Sequence, residues 1–379
     1  MVDVFAVIDG NILSDLEDNI SGTYIRIHYL LNALNESQDI NIKSIKCKQF
    51  PQSTLKNRIF NNMIKSIVAL KSIIILIKDK PLVFFAYPYS LHTIQNRIIF
   101  KISEILDLKI ILDIHDTIEQ VNVLGKGKSK LTKRFEKECI EKSSLLVILN
   151  KYMWNSLKKT YNLNENKKIV FIPNAFDYSF IEFFPTKYIN QKNDCFNICY
   201  MGGLTKNRGV DILVQSCVNL HEKYPCLKLF LFGTYGEGIS DDLKDVIENG
   251  DFIIRKEIPR KDIPISLKDI DIFVMPYNPE VKYLNESSPM KFYEYIGCCK
   301  PIICTKCDSL INIGQNDSIL YVDYKIEDFT KKIELLIKNP KLREYMSEGL
   351  CDIRLNHTWK KRADELLHAI MSLSNNSNG

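Results

Sequence analysis

Short apolar runs alternate with longer stretches in which apolar residues recur every three or four positions. Residues 4–8, 42–47, 82–85, 110–114, 145–149 and 169–172 form one series of runs, and each predicts a buried strand. Residues 25–34 and 131–141 are helical stretches between them. From residue 197 the alternation restarts, with runs at 197–201, 227–232, 252–254, 272–275, 301–304 and 318–322. Strand–helix alternation predicts a parallel sheet with helices on both faces. Two series predict an α/β chain of two doubly wound, Rossmann-like domains facing a cleft. Residues 1–178 make the first domain and 194–355 the second. The polar stretch 179–193, which holds Pro185, reads as a linker, and 374–379 as a polar tail.

In open parallel sheets ligands bind beyond the carboxyl ends of strands, so the residues there are the first candidates. After 197–201 come Gly202, Gly203, Leu204, Thr205, Lys206, Asn207, Arg208 and Gly209, then a helix opening near Val210. Glycines let backbone amides approach a phosphate. A helix N-terminus with Lys206 and Arg208 beside it favours negative charge. The spacing matches neither the dinucleotide fingerprint nor the P-loop. A phosphate site and a plain strand-to-helix turn both stay open.

Farther on, Glu286 and Glu294 bracket Ser288, Pro289, Met290 and Lys291. Ser288 before Pro289 predicts an N-cap with proline at the first helical position. The helix then covers 289–296 and stops near Gly297. Glu286 falls in the loop before it, and Glu294 lies about a turn and a half inside it. One carboxylate near sugar hydroxyls, free amides over Ser288–Met290 for a phosphate, and a deeper carboxylate for a ribose would hold a nucleotide sugar. The alternative is a solvated loop acid and an exposed helical one.

Three further stretches carry less. His115 ends the run at 110–114, either beside a bound sugar or as a satisfied structural histidine. Gly22, between Ser21 and Thr23, permits close approach by a ligand or sits in a plain loop. Pro173-Asn174 marks a sharp turn. Residues 55–76 mix Lys56, Arg58, Lys65 and Lys71 with many apolar residues. A helix packed on the sheet with its lysines wet is favoured there over a basic amphipathic helix on an anionic membrane. No run reads as transmembrane: the best, 66–77, is too short and contains Lys71.

Composition narrows the classes. The chain has 379 residues, 45% hydrophobic and 26% charged, as in a soluble globular protein. A net charge of +5 is too small to imply nucleic acid, though it suits an anionic ligand or an anionic membrane surface. The start has no basic leader segment, and eleven cysteines then predict reduced thiols in a cytoplasmic compartment. Cys304-x-x-Cys307 and the Cys195, Cys199 pair lack partners at zinc-site spacing and read as buried small residues.

Taken together, the Gly22 loop, His115, the Pro173-Asn174 turn, Gly202-Gly203 with Arg208, the run ending in Met275-Pro276, and Glu286 with Glu294 resemble the retaining glycosyltransferase family 4, of GT-B fold. The resemblance covers nearly the whole chain, and residues 356–373, with Trp359, are similar to that family's helix that crosses back to the first domain. It implies transfer of a hexose-type sugar from a nucleotide-diphosphate sugar, with retention and without metal or cofactor. The acceptor would be a glycan or a lipid-linked molecule in polysaccharide or glycolipid synthesis. Arg208 would bind the diphosphate with Lys206 as helper, alongside Gly22, Gly203, Ser288 and Met290. Glu294 would hold the ribose, and Glu286 and His115 would lie at the sugar. Family members often carry a basic residue where this chain has Gly203, which leaves the diphosphate short of one cation. An epimerase or hydrolase of the same fold, and a non-catalytic glycan-binding subunit, are the rival readings.

Overall fold

A computed structural model describes residues 1–8, 22–45, 54–123, 131–164, 166–184, 195–311, 313 and 317–375. Two compact units emerge, Met1–Pro173 with Arg362–Gly379, and Asn174–Lys361. Both are parallel six-stranded sheets with flanking helices, which is the doubly wound, Rossmann-like architecture of a GT-B chain.

The first unit contains β1 (Val2–Val7), β2 (Ile40–Lys43), β3 (Leu82–Tyr87), β4 (Ile110–Ile114), β5 (Leu145–Ile148) and β6 (Ile169–Phe171). Their order across the sheet is β2-β1-β3-β4-β5-β6. Every residue of β3, β4 and β5 is buried. This is why those strands read as unbroken apolar runs rather than alternating ones. One charge interrupts them. Asp113, fully buried in β4, pairs with Arg26 of the helix Gly22–Asn35, Nη2 to Oδ1 at 2.7 Å and Nε to Oδ2 at 3.0 Å. Burial would raise the Asp113 carboxyl, but Arg26, with a smaller contribution from His115, overrides it and holds the group at about 2.

The second unit contains β7 (Asn197–Met201), β8 (Lys228–Phe232), β9 (Ile253–Lys256), β10 (Ile272–Met275), β11 (Ile302–Thr305) and β12 (Ile319–Val322). The order is β12-β11-β10-β7-β8-β9. The chain steps outward from β7 to β9, then returns to place β10 on the other flank of β7. That reversal, between β7 and β10, is a switch point where a parallel sheet opens a crevice at its carboxyl edge.

Four expectations need correction. The linker is not a linker over 179–184: Ser179–Phe183 is a helix, and Phe180 and Phe184 join the second unit's core. Pro185 and the rest of that stretch to residue 194 lie outside the described residues. Reduced thiols are not found throughout, because Cys195 is bonded to Cys226. The register explains the meeting, since Asn197 pairs with Lys228 and the two cysteines each stand two residues earlier. Eight other described cysteines are free, with Cys304 and Cys307 buried in the core.

The third correction concerns the segment at 55–76. It is one helix, Leu55–Asp79, capped by Thr54, whose Oγ1 accepts from Asn57 N at 3.2 Å. Its buried residues are Asn61, Ala69, Ser72 and Leu76, with Ile73 and Ile75 packed against the same core, while Ile59, Met63, Ile67, Leu70, Ile74 and Ile77 are exposed. The helix thus packs on the unit with Lys56, Lys71 and Lys78 outside, but an apolar stripe that the favoured packing would bury is outside with them. The fourth follows from it: this helix is long and apolar enough to cross a membrane by length and composition, with a mean hydropathy of 1.6 over its best window.

The last helix runs over Trp359–Asn375. From Arg362 onward it groups with the first unit, where Lys109 Nζ donates to Leu373 O at 2.8 Å and Lys168 Nζ to Ser372 Oγ at 3.0 Å.

Removing one partner of a buried ion pair strands the other charge. Arg26→Ala should therefore destabilise the first unit by about 3–5 kcal/mol. Because the folded Asp113 value lies below the ordinary carboxylate range, the wild-type advantage should be complete above about pH 4 and vanish as pH falls through about 2. Denaturant unfolding across that range checks both points, and a loss below about 1 kcal/mol at neutral pH would refute the pairing energy.

Candidate active site

The second unit's crevice is built on glycine. Gly209 has φ +67°, and a Cβ there would meet Pro276 O at 1.8 Å. Gly233 passes as close to the backbone of the turn after β7, where a Cβ would meet Gly202 O at 2.0 Å. These approaches hold the turn Gly202–Gly209 against the end of β10. Thr205 caps the short turn Lys206–Arg208, its Oγ1 accepting from Arg208 N at 3.3 Å, and aims the arginine back over the glycines. A Cβ on Gly203 would lie 2.8 Å from Arg208 Nη1.

The second cation at this turn is Lys291, not Lys206. Lys206 is exposed, and its stem packs beside Gly238. Lys291 Nζ would lie 1.9 Å from a Cβ on Gly202, and it donates to Tyr200 Oη at 3.4 Å. It stands over the rings of Tyr200 and Tyr277, 5.0 and 5.5 Å from their centroids. Burial, with the Arg208 charge adding to it, pushes the Lys291 ammonium well below the ordinary lysine range, against a smaller pull from Glu294. Tyr200 is buried beneath, its phenol pushed up to about 12 by burial. Two cations thus converge over Gly202–Gly203.

Lys291 reaches this place because of its helix, Met290–Gly297. Tyr295 of that helix accepts from Met201 N through its Oη at 2.7 Å and stacks on Phe273, ring centroids 4.2 Å apart. The helix is thereby locked to β7 and β10 together. Its start differs from expectation. Pro289, not Ser288, is the capping residue, and it makes no side-chain cap bond. Ser288 Oγ instead accepts from Asn174 N at 3.0 Å and pairs with Tyr293 Oη at 2.9 Å. Asn174 Nδ2 also donates to Ser288 O. The residue before a proline is disfavoured in helical conformation, so Ser288 stays outside the helix and its hydroxyl serves as a clamp.

Glu286 is likewise corrected. It ends a short helix, Lys282–Glu286, rather than sitting in a loop, and it is 9% exposed. Lys282 Nζ lies 3.9 Å from its Oε1. Glu294 is buried at 2%, so it is not an exposed helical acid. Its Oε1 accepts from Arg260 Nη1 at 3.0 Å. Sequence reasoning missed Arg260 and the roles of Asn174 and Lys291. Asn174 showed only as part of a turn, and Lys291 as a residue three before Glu294 and therefore on the same helical face.

In the first unit, His115 follows β4 and is 7% exposed. Its Nδ1 stands 3.9 Å from Asp113 Oδ2, too far for a hydrogen bond, and neither ring nitrogen has a hydrogen-bond partner among the described residues. Gly22 opens the helix that carries Arg26. Ser21 and the loop before it lie outside the described residues.

Gly209→Ala should destabilise the second unit by about 2–4 kcal/mol, since it adds both left-handed strain and a backbone clash. Gly203→Ala should cost less than about 1 kcal/mol, because its Cβ would meet only the movable end of Arg208. Equal losses in denaturant unfolding would show that the backbone approach is not the constraint.

By sequence, no curated protein matches the chain. By structure, it is similar to sucrose-phosphate synthase from Thermosynechococcus elongatus, with a TM-score of 0.71 at 13% identity over 98% of this chain and 99% of that one. A glycosyltransferase from Rickettsia africae gives 0.67 at 13% identity over 99% of each chain. HepE of Anabaena, in complex with UDP and glucose, gives 0.62 at 13% identity over 98% of this chain and 99% of that one. Residues 186–349, which hold the glycine turn, Arg208, both glutamates and Lys291, match the model of the glycosyl transferases group 1.

Proposed function

We propose that this chain transfers a sugar, of hexose type, from a nucleoside-diphosphate donor to a glycan or lipid-linked acceptor, with retention of configuration. The observation that carries this reading is the convergence of Arg208 and Lys291 over Gly202–Gly203 at the switch point. As the bond from sugar to diphosphate breaks, negative charge grows on the leaving group. Arg208, Lys291 and the first-turn amides of Met290–Gly297 are preorganised to receive it, which is the larger part of catalysis in such a step. Two side-chain cations take the part a divalent metal would play, so the proposed step needs none. Lys291 also supplies the charge that Gly203 lacks.

Glu294 is proposed to exchange its bond to Arg260 for ribose hydroxyls. Glu286, buried at the end of the helix Lys282–Glu286, is proposed to position the sugar. The complex of HepE with UDP and glucose supports a uridine diphosphate sugar as the first donor to try. A same-face route, in which the leaving phosphate helps to deprotonate the acceptor, fits a site with no carboxylate assigned as nucleophile.

A thermal-shift screen of sugar nucleotides tests the reading, because a donor at about 100 times its Kd stabilises the fold by about 2.7 kcal/mol. Arg208→Ala and Lys291→Ala should each lose about 1.5–3 kcal/mol of diphosphate affinity, roughly 10- to 100-fold in Kd, by calorimetry. Unchanged affinity in both would sink the site. A donor turned over without acceptor would favour the hydrolase instead.

The depressed Lys291 group gives an independent signature. Diphosphate binding should restore its proton, so the heat of binding should vary with the ionisation enthalpy of the buffer and report roughly one proton taken up at a pH above the folded Lys291 value. Lys291→Met should abolish that dependence. Its persistence in the variant would assign the uptake elsewhere.

A further inference from the structure

The helix Leu55–Asp79 carries its apolar side outward. Ile59, Met63, Ile67, Leu70, Ile74 and Ile77 are each at least 53% exposed. They recur at intervals of three and four, so they form one stripe along the helix. The face packed on the unit lies opposite and is made of Asn61, Ala69, Ser72 and Leu76. Only 22% of the apolar window is buried. The stripe does not stop at this helix: Gln95 Nε2 donates to Ser66 Oγ at 3.4 Å, and Ile94 and Ile98, beside Gln95, are 65% and 47% exposed. Monomeric proteins rarely leave so continuous an apolar surface in water.

The charges say what covers it. Lys56, Arg58, Lys65, Lys71 and Lys78 are the ionisable residues of the helix before its final Asp79. At 100° per residue, Lys71 and Lys78 flank the stripe on one rim. A second copy of this helix would bring cations against cations with no acid to pair them. An apolar stripe with Lys71 and Lys78 along one rim and no acid along either suits hydrocarbon below and anionic headgroups at that rim. The inner face is packed on the folded unit, so the helix can lie on a bilayer but not cross it.

We propose that this face docks the chain on an anionic lipid bilayer, with the helix parallel to the surface and the stripe at the boundary between headgroups and acyl chains. The docking is independent of the transferase reading and is tested without activity.

Co-sedimentation of the full chain with vesicles is the measurement. Binding to vesicles containing about 30% phosphatidylglycerol should be at least tenfold tighter than to pure phosphatidylcholine, and should weaken about tenfold or more in about 0.5 M salt. Lys71→Gln with Lys78→Gln should weaken it by roughly tenfold or more. Ile67→Ser, Leu70→Ser and Ile74→Ser together should reduce binding about tenfold or more while leaving the thermal midpoint near that of wild type, since all three side chains are exposed. Wild-type protein that stays in the supernatant with every vesicle would overturn the proposal. So would a serine variant that binds as well as wild type, or a dimer that the serine variant dissolves while vesicles capture neither protein.

Discussion

At the end of β10 the carbonyl oxygen of Pro276 lies 1.8 Å from where a Cβ on residue 209 would be, and the chain passes there only because that residue is glycine. The preceding residue, Arg208, is thereby held over Gly203, and the helix that follows begins against the sheet at the switch point. Gly233 allows a second such approach at Gly202. With these contacts made, β7, β10 and the helix Met290–Gly297 form one block, joined through Tyr295. Lys291 can then project over the turn, where burial makes its own charge unfavourable.

That coupling explains what could be read from the sequence and what could not. All the strand runs reappear as strands among the described residues, because parallel strands buried on both faces are nearly pure apolar runs. Arg208 and the two glutamates were visible as residues placed after strands or spaced on a helix. Which cation joins Arg208 was not visible. Lys206 is near in sequence, but its backbone sits in a tight turn that sends the side chain outward. Lys291 is 83 positions away from Arg208 in sequence and is brought in by packing alone. Ser288 shows the same limit at short range: Ser-Pro reads as a cap, yet the hydroxyl is taken by Asn174 and Tyr293. The outward face of Leu55–Asp79 was hidden for a different reason. Periodicity shows that a helix has an apolar stripe but not which way the stripe turns.

Both units hold charged pairs away from water, and the two pairs differ in kind. Arg26 and Asp113 satisfy each other in several bonds and fasten a helix to a strand, with His115 beside them at 3.9 Å from Asp113. Arg260 Nη1 bonds Glu294 Oε1 at 3.0 Å, with Arg260 more exposed than Glu294. A pair of the first sort is hard to open without unfolding. A pair of the second sort is more open to exchange.

The clamp at Asn174 has a consequence for where this protein can be divided. Composition invites a cut in the polar stretch that contains Pro185. The second unit begins earlier, at Asn174, and that first residue holds Ser288 in front of the helix bearing Lys291 and Glu294. A fragment started in the polar stretch would keep every strand of the second sheet and still lose the latch on its ligand-facing helix, along with the Phe176 and Phe180 packing beneath it. The domain border, taken as a matter of folding, is thus also part of the site's hardware.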